Sequence, residues 1–236
     1  DVMQAYQPDY VAAAKLQQEI AANGAKRALV EAAKSTALEP MEAPVMTFPK
    51  RDEPSLAGLL SEAQKAAAKA APRIDALYAT LSAGLPDREA VKERRWQAGF
   101  DLALGRVLAS KVRTDAYNQM LAQAKLGMKF ENDANDTWQL EPSEEVKVGS
   151  QTEKLARQAV ELLERVARDH AGTPWAQIAA TELKTPLGYR WTERNTGVNK
   201  PAMADGGNNN NVPAPPSDDQ KRKLAPPKPK RDLKNL

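Results

Sequence analysis

The stretch DREAVKERRWQAGFDLALGRVLASKVRTDAYNQMLAQAKLGM, residues 87–128, decides the fold class. Trp96, Phe100, Leu104, Val107, Leu108, Val112, Tyr117, Leu121 and Ala124 recur close to every 3.6 residues, the period of one helix face. No proline interrupts the run, and the spacing predicts one long helix over about 87–127. Gly99 and Gly105 lie inside it, where glycine costs up to about 1 kcal/mol against alanine. Close approach of a neighbouring helix explains that residue type there.

Shorter amphipathic stretches flank this run. Asp9 precedes a stripe of Val11, Leu16 and Ile20, with Gly24 as a stop, which predicts a helix over about 9–22. Leu29, Val30, Ala33 and Ala37 predict a second over 25–38. Residues 39–54 carry four prolines and read as a long loop, with Val45, Met46 and Phe48 laid on the body. Ser55 reads as the cap of a third helix over 55–83, kinked at Pro72.

On the C-terminal side, Asn132–Asp136 is turn chemistry. Lys129-Phe130 and Trp138-Gln139-Leu140 read as a small β-hairpin near 129–140. Ser150 with Glu153 reads as a capping box for a helix over 151–169, with the stripe Leu155, Ala159, Leu162, Leu163 and Val166. Thr173 and Pro174 open a last helix over 174–184. Tyr189 and Trp191 are expected to tuck back onto it. Residues 150–185 thus read as one tetratricopeptide-like hairpin, with no second copy at a fixed period. The expected fold is all-α, a bundle of amphipathic helices over 1–196.

Composition narrows the function. The chain has 236 residues, no cysteine and one histidine, His170. That excludes a disulfide framework and any Cys-ligated metal centre. The Walker A, G-x-G-x-x-G, G-x-S-x-G and H-E-x-x-H patterns do not occur. The chain reads as non-enzymatic, with no cofactor or metal implied. His170 reads as a cation on a helix C-terminus. Asp101, Arg106, Lys111 and Arg113 read as a solvated face with intrahelical pairs rather than a charged pocket between helices. Glu131, Asp133 and Asp136 lack the glycine and terminal glutamate of a calcium loop and read as an acidic surface turn. Trp138, Trp175 and Trp191 read as packing anchors. Glu93, Arg94, Arg95 and Trp96 are candidates to clasp an acidic partner, with Trp96 better suited to the core.

Residues 197–236 carry eight Lys/Arg against four Asp/Glu, seven prolines and an asparagine run. Such a segment buries too little apolar surface to offset its ordering entropy, and a disordered tail is expected. Its basic clusters, Lys221-Arg222-Lys223 and Lys228, Lys230 and Arg231, are the one place where nucleic acid or an anionic surface would bind. No apolar run approaches the roughly 20 residues of a membrane span. The start at Asp1 reads as a cut from a longer protein.

Four segments together carry a resemblance: YQPDYVAAAKLQQEIAANGAKRALVEAA, EPMEAPVMTFPKRDEPSLAGLLSEAQKAAA, RRWQAGFDLALGRVLASKVRTDAYNQMLAQAKLGMKF and HAGTPWAQIAATELKTPLGYRWTE. Over about residues 6–193 the chain is similar to the helical region C-terminal to the von Willebrand factor A (VWA) domain of bacterial, planctomycete-type proteins. The D-x-S-x-S loop that holds metal in the VWA domain does not occur here. The resemblance implies an appended scaffold for contacts with an unknown protein partner, in an envelope-associated protein. Polyanion binding through the tail is the alternative expectation.

Overall fold

Arg88 and Asp101 are thirteen positions apart, about 20 Å on a continuous helix, yet their side chains form a two-pronged ion pair at 2.6 and 2.8 Å. The long helix therefore cannot begin at Asp87. In the computed structural model, which describes residues 2–8, 10–35 and 43–199, Leu85–Ala90 form a short 3-10 turn. The chain then runs extended through Val91–Glu93 and enters the helix only at Arg94. Residues 200–236, with Lys221, Arg222, Lys223, Lys228, Lys230 and Arg231, lie outside the described residues, as do 36–42 and Asp9.

The elements are α1 (Ala13–Ala22), α2 (Gly24–Ser35), β1 (Thr47–Pro49), α3 (Glu53–Ala83), α4 (Arg94–Lys125), β2 (Thr137–Ser143), α5 (Ser150–Asp169), α6 (Pro174–Glu182) and β3 (Gly188–Arg194). A further 3-10 turn spans Val2–Tyr6. The fold is mostly helical, as the periodicity predicts, but not all-α: the three strands form one antiparallel sheet, ordered β1-β2-β3.

The 32-residue α4 takes part in all three apolar clusters. Phe100, Leu104, Leu108 and Val112 pack with Ala25, Ala28 and Ala32 of α2, Leu81 of α3 and Leu155, Ala159 and Leu162 of α5. Tyr117 and Leu121 pack with Leu56 and Leu60 of α3 and with Phe48, Trp138 and Leu140 of the sheet. Leu102 packs with Leu163 and Val166 of α5 and Ala179 of α6. Gly105 serves the close approach its residue type suggested: a Cβ there would lie 3.0 Å from Leu163 Cγ. A Cβ on Gly99 would meet Leu29 at 3.2 Å.

The sheet corrects two local expectations. Residues 129–140 do not form a hairpin. Trp138 pairs with Phe48 on one side and with Glu193 on the other. Phe130 instead stacks on the Trp138 ring, centroids 4.6 Å apart, from a non-strand segment. Tyr189 and Trp191 belong to β3 and pack toward Tyr117 and Phe48 rather than onto α6.

The ends of the helices show where side chains were bound differently. Asn23 accepts the Lys26 amide at 3.0 Å, so Gly24 opens α2 rather than closing α1. The Gly24 amide donates to the Asp87 carboxylate at 2.8 Å. Asp52, not Ser55, caps α3; Ser55 is the third residue of the resulting capping box. Helix α3 continues through Pro72. Ser150 does not cap α5. Its preceding residue is Gly149, at φ +114°, a left-handed entry that a glycine permits. Thr173 and Pro174 open α6 as expected, the Thr173 hydroxyl accepting the Ala176 amide.

The charged residues of α4 are not a solvated face with intrahelical pairs. Asp101 is fully buried, and Arg165 of α5 also reaches it at 3.7 Å. Lys111 spans to Asp75 of α3 at 2.7 Å, alongside its intrahelical pair with Asp115. Arg106 and Arg113 both reach Glu182 of α6.

His170 is likewise no dipole-matched cation. It is 3% exposed, and its Nδ1 shares a 2.8 Å hydrogen bond with the Tyr6 hydroxyl. Burial, reinforced by the nearby Arg94 guanidinium, holds its pKa below the ordinary imidazole value.

Two outcomes follow from this packing. Asp101→Asn strands the Arg88 guanidinium without its counter-charge and lowers stability by about 3–5 kcal/mol, read from urea unfolding. Replacing both partners together, Arg88→Met with Asp101→Leu, recovers most of that loss. For His170, the unfolded chain takes up the proton first as pH falls below about 6.5. Folding stability therefore declines from there down to the lower folded pKa, and His170→Gln flattens that slope in unfolding curves measured between pH 7 and 5.

Candidate functional site

Helix α5 has two unlike sides. Leu155, Ala159, Leu162 and Val166 face the core. Val160 is apolar but falls off that stripe, among Glu153, Arg157, Glu161 and Glu164. This second side forms one wall of an open groove of about 610 Å³. The other walls are the end of α6 with its exit turn (Glu182, Leu183, Thr185, Leu187) and the β2–α5 connection (Glu144–Lys147). Val146, Ala156, Val160, Leu163, Leu183 and Leu187 supply apolar surface.

Arg113 fixes the end of α6 that borders this groove. Its guanidinium donates to Glu182 Oε1 at 2.6 Å, to the Thr185 carbonyl at 3.0 Å and to the Pro186 carbonyl at 3.1 Å. It therefore ties the last turn of α6 and the following loop to α4. A cation suits that position, close to the negative end of the α6 dipole. The opposite wall is held by backbone contact. A Cβ on Gly188 would overlap the Glu145 carbonyl oxygen and come within 3.0 Å of the Ser143 carbonyl oxygen.

The residues singled out from the sequence lie elsewhere. Trp96 is half-buried beside the α2–α4 packing, with the Lys26 ammonium 5.6 Å and the Arg95 guanidinium 5.8 Å from its ring centre. Lys26 is itself paired with Glu93 at 2.7 Å. Neither Arg95 nor Trp96 lines the groove. The basic clusters of the tail lie outside the described residues.

The acidic turn is not one site. Asp136 is turned inward and accepts hydrogen bonds from Thr137 Oγ1 and from the backbone amide and hydroxyl of Thr196. Those donors hold its carboxyl well below the usual range, while Glu131 and Asp133 stay exposed. Among the described residues no group of three or more His, Asp or Glu is placed to hold a metal ion.

A second hollow of about 500 Å³ lies between the alanine side of α3 and α4, bordered by Lys69, Arg73, Tyr117 and Tyr189. The Tyr117 hydroxyl donates to the Val45 carbonyl at 2.7 Å. Burial pushes its pKa up to about 12, so it supplies no reactive phenolate near neutral pH.

No protein-family model matches the chain, and comparison with the curated proteins and with the solved structures finds no match. Among the described residues no helix is long and apolar enough to cross a membrane.

The groove was not anticipated. Its one local signal is Val160, an apolar residue out of phase on the polar side of α5. Its walls come from segments about 40 residues apart in sequence, which helical periodicity does not connect. Gly188→Ala forces the Glu145 carbonyl aside. It is expected to cost about 1–3 kcal/mol in urea unfolding and to speed amide hydrogen exchange over residues 144–148.

Proposed function

We propose that this chain is a non-enzymatic helical interaction region, one that extends the contact surface of a bacterial, envelope-associated VWA-domain protein. The observation that carries the reading is the α5–α6 groove: an apolar floor open to solvent, on a helix pair whose other side is anchored in the core. Concave apolar surface of this kind favours a partner that covers it. Helix α5, a turn at Gly172 (φ +78°) and helix α6 follow in succession, which supports reading the pair as a tetratricopeptide-like hairpin, a unit used for protein contacts. The resemblance over about residues 6–193 supports placement beside a VWA domain.

The test is affinity capture from cells of the source organism. Two full-length baits are compared: the native chain and a variant with Lys221, Arg222, Lys223, Lys228, Lys230 and Arg231 changed to serine. Both are expected to recover the same few proteins, displaced by excess untagged native chain. If only the native bait recovers material, and that material is nucleic acid or lipid lost at high salt, the tail is the functional part and the reading fails.

A further inference from the structure

The rim of the α5–α6 groove is mainly acidic. Six glutamates border it; Glu145 is paired with Lys147, Glu161 with Arg165 and Glu182 with Arg106 and Arg113, which leaves Glu144, Glu153 and Glu164 facing Arg157. Elsewhere in the fold, glutamates near element crossings are matched. Glu93 has Lys26, and Glu141 has both Arg190 and Arg194. At the groove, Glu144, Glu153 and Glu164 have no ion-pair partner among the described residues. The chain as a whole is not short of cations, with 34 Lys/Arg against 31 Asp/Glu. Negative charge is thus left unmatched around a floor that Val160, Leu183 and Leu187 make apolar.

We infer that the groove binds a Lys/Arg-rich protein segment that inserts apolar side chains between α5 and α6. This rests on the reading of the chain as a protein-contact region and names the chemistry of the partner. The apolar floor favours any segment that carries large aliphatic groups. The rim sets the sign. It attracts cations on approach and repels acidic segments, because like charges facing each other across an interface are costly. Glu153 and Glu164 are eleven positions apart, about 16 Å along the helix, which matches some three turns of a bound helix. Arg157, between them in sequence, offers one carboxylate of the partner a place. The segment is therefore mainly basic rather than uniformly so.

Three labelled 16-residue peptides test this by fluorescence anisotropy against the full chain in about 0.15 M salt, where the Debye length is about 8 Å. One places Leu and Lys at amphipathic helical spacing, the second replaces every Lys by Glu, and the third replaces every Leu of the first by Gly. Only the Leu/Lys peptide is expected to bind saturably. Glu153→Lys combined with Glu164→Lys weakens it about tenfold or more while the helical circular dichroism is unchanged. Val160→Asp weakens it by removing the floor, and serves as the second variant should the charge reversal disturb folding. Tighter binding of the Leu/Glu peptide, or Leu/Lys binding untouched by both variants, overturns the inference. The same variants used as baits separate the two readings. Proteins still captured by the charge-reversed chain leave the contact reading standing and remove the basic partner, whereas no displaceable protein from the native chain removes the contact reading itself.

Discussion

The pairing of Arg88 with Asp101 is the constraint around which the helical packing is arranged. Asp101 is completely enclosed, so its charge must be met inside the protein. No residue of α4 supplies the match. The 3-10 turn ahead of α4 does so, and Arg165 of α5 adds a longer contact. One carboxylate therefore fixes three elements relative to one another. It also explains why the chain breaks at Val91–Glu93. The turn must fold back along the helix it precedes for Arg88 to arrive. The same turn is held on its other side by Asp87, which accepts the first amide of α2. A buried pair of this kind gives little net stability compared with an apolar replacement, but it leaves few alternative arrangements that do not strand a charge.

The helices were legible because helix formation is written locally. Apolar residues three and four apart mark the buried side of α3, α4, α5 and α6 wherever the neighbouring element lies. The turn chemistry of Thr173-Pro174 was legible for the same reason. What failed was long-range. Thr47-Phe48, Thr137–Leu140 and Tyr189–Thr192 are short β-prone stretches from three distant parts of the chain, and each alone is too short to declare its partner. The charges of α4 were misread for a related cause. Ion pairs between helices depend on which helix packs alongside, and Asp75, Arg88 and Glu182 were not assignable as neighbours from spacing. His170 shows the same limit. Its position at the end of α5 was clear, but its burial against Tyr6 joins residues at opposite ends of the described chain.

The groove inherits its shape from both kinds of constraint. Its α5 wall follows from local periodicity and its far wall from the sheet. The β2–α5 connection leaves the sheet at Ser143, directly opposite Gly188 at the start of β3. Only a residue without a Cβ lets the two backbones pass that closely. Arg113 performs the complementary task just past the end of α6, where it binds the Thr185 and Pro186 carbonyls of the exit loop. The groove is thus framed by well-anchored backbone, while Glu144, Glu153 and Glu164 on its rim have no ion-pair partner among the described residues.

The order in which the sheet is assembled sets a temporal condition on folding. Its central strand pairs with a segment about 90 positions earlier and another about 50 positions later. Closing such loops is entropically expensive and slow relative to helix growth. During synthesis, β1 must wait for β2, and β2 gains its second neighbour only after Arg194 has been made. Until then Phe48, Trp138 and Leu140, all nearly inaccessible in the finished fold, lack part of their cover. The nascent chain therefore passes through a stage in which its helices can already form while its most aromatic surface still lacks a cover.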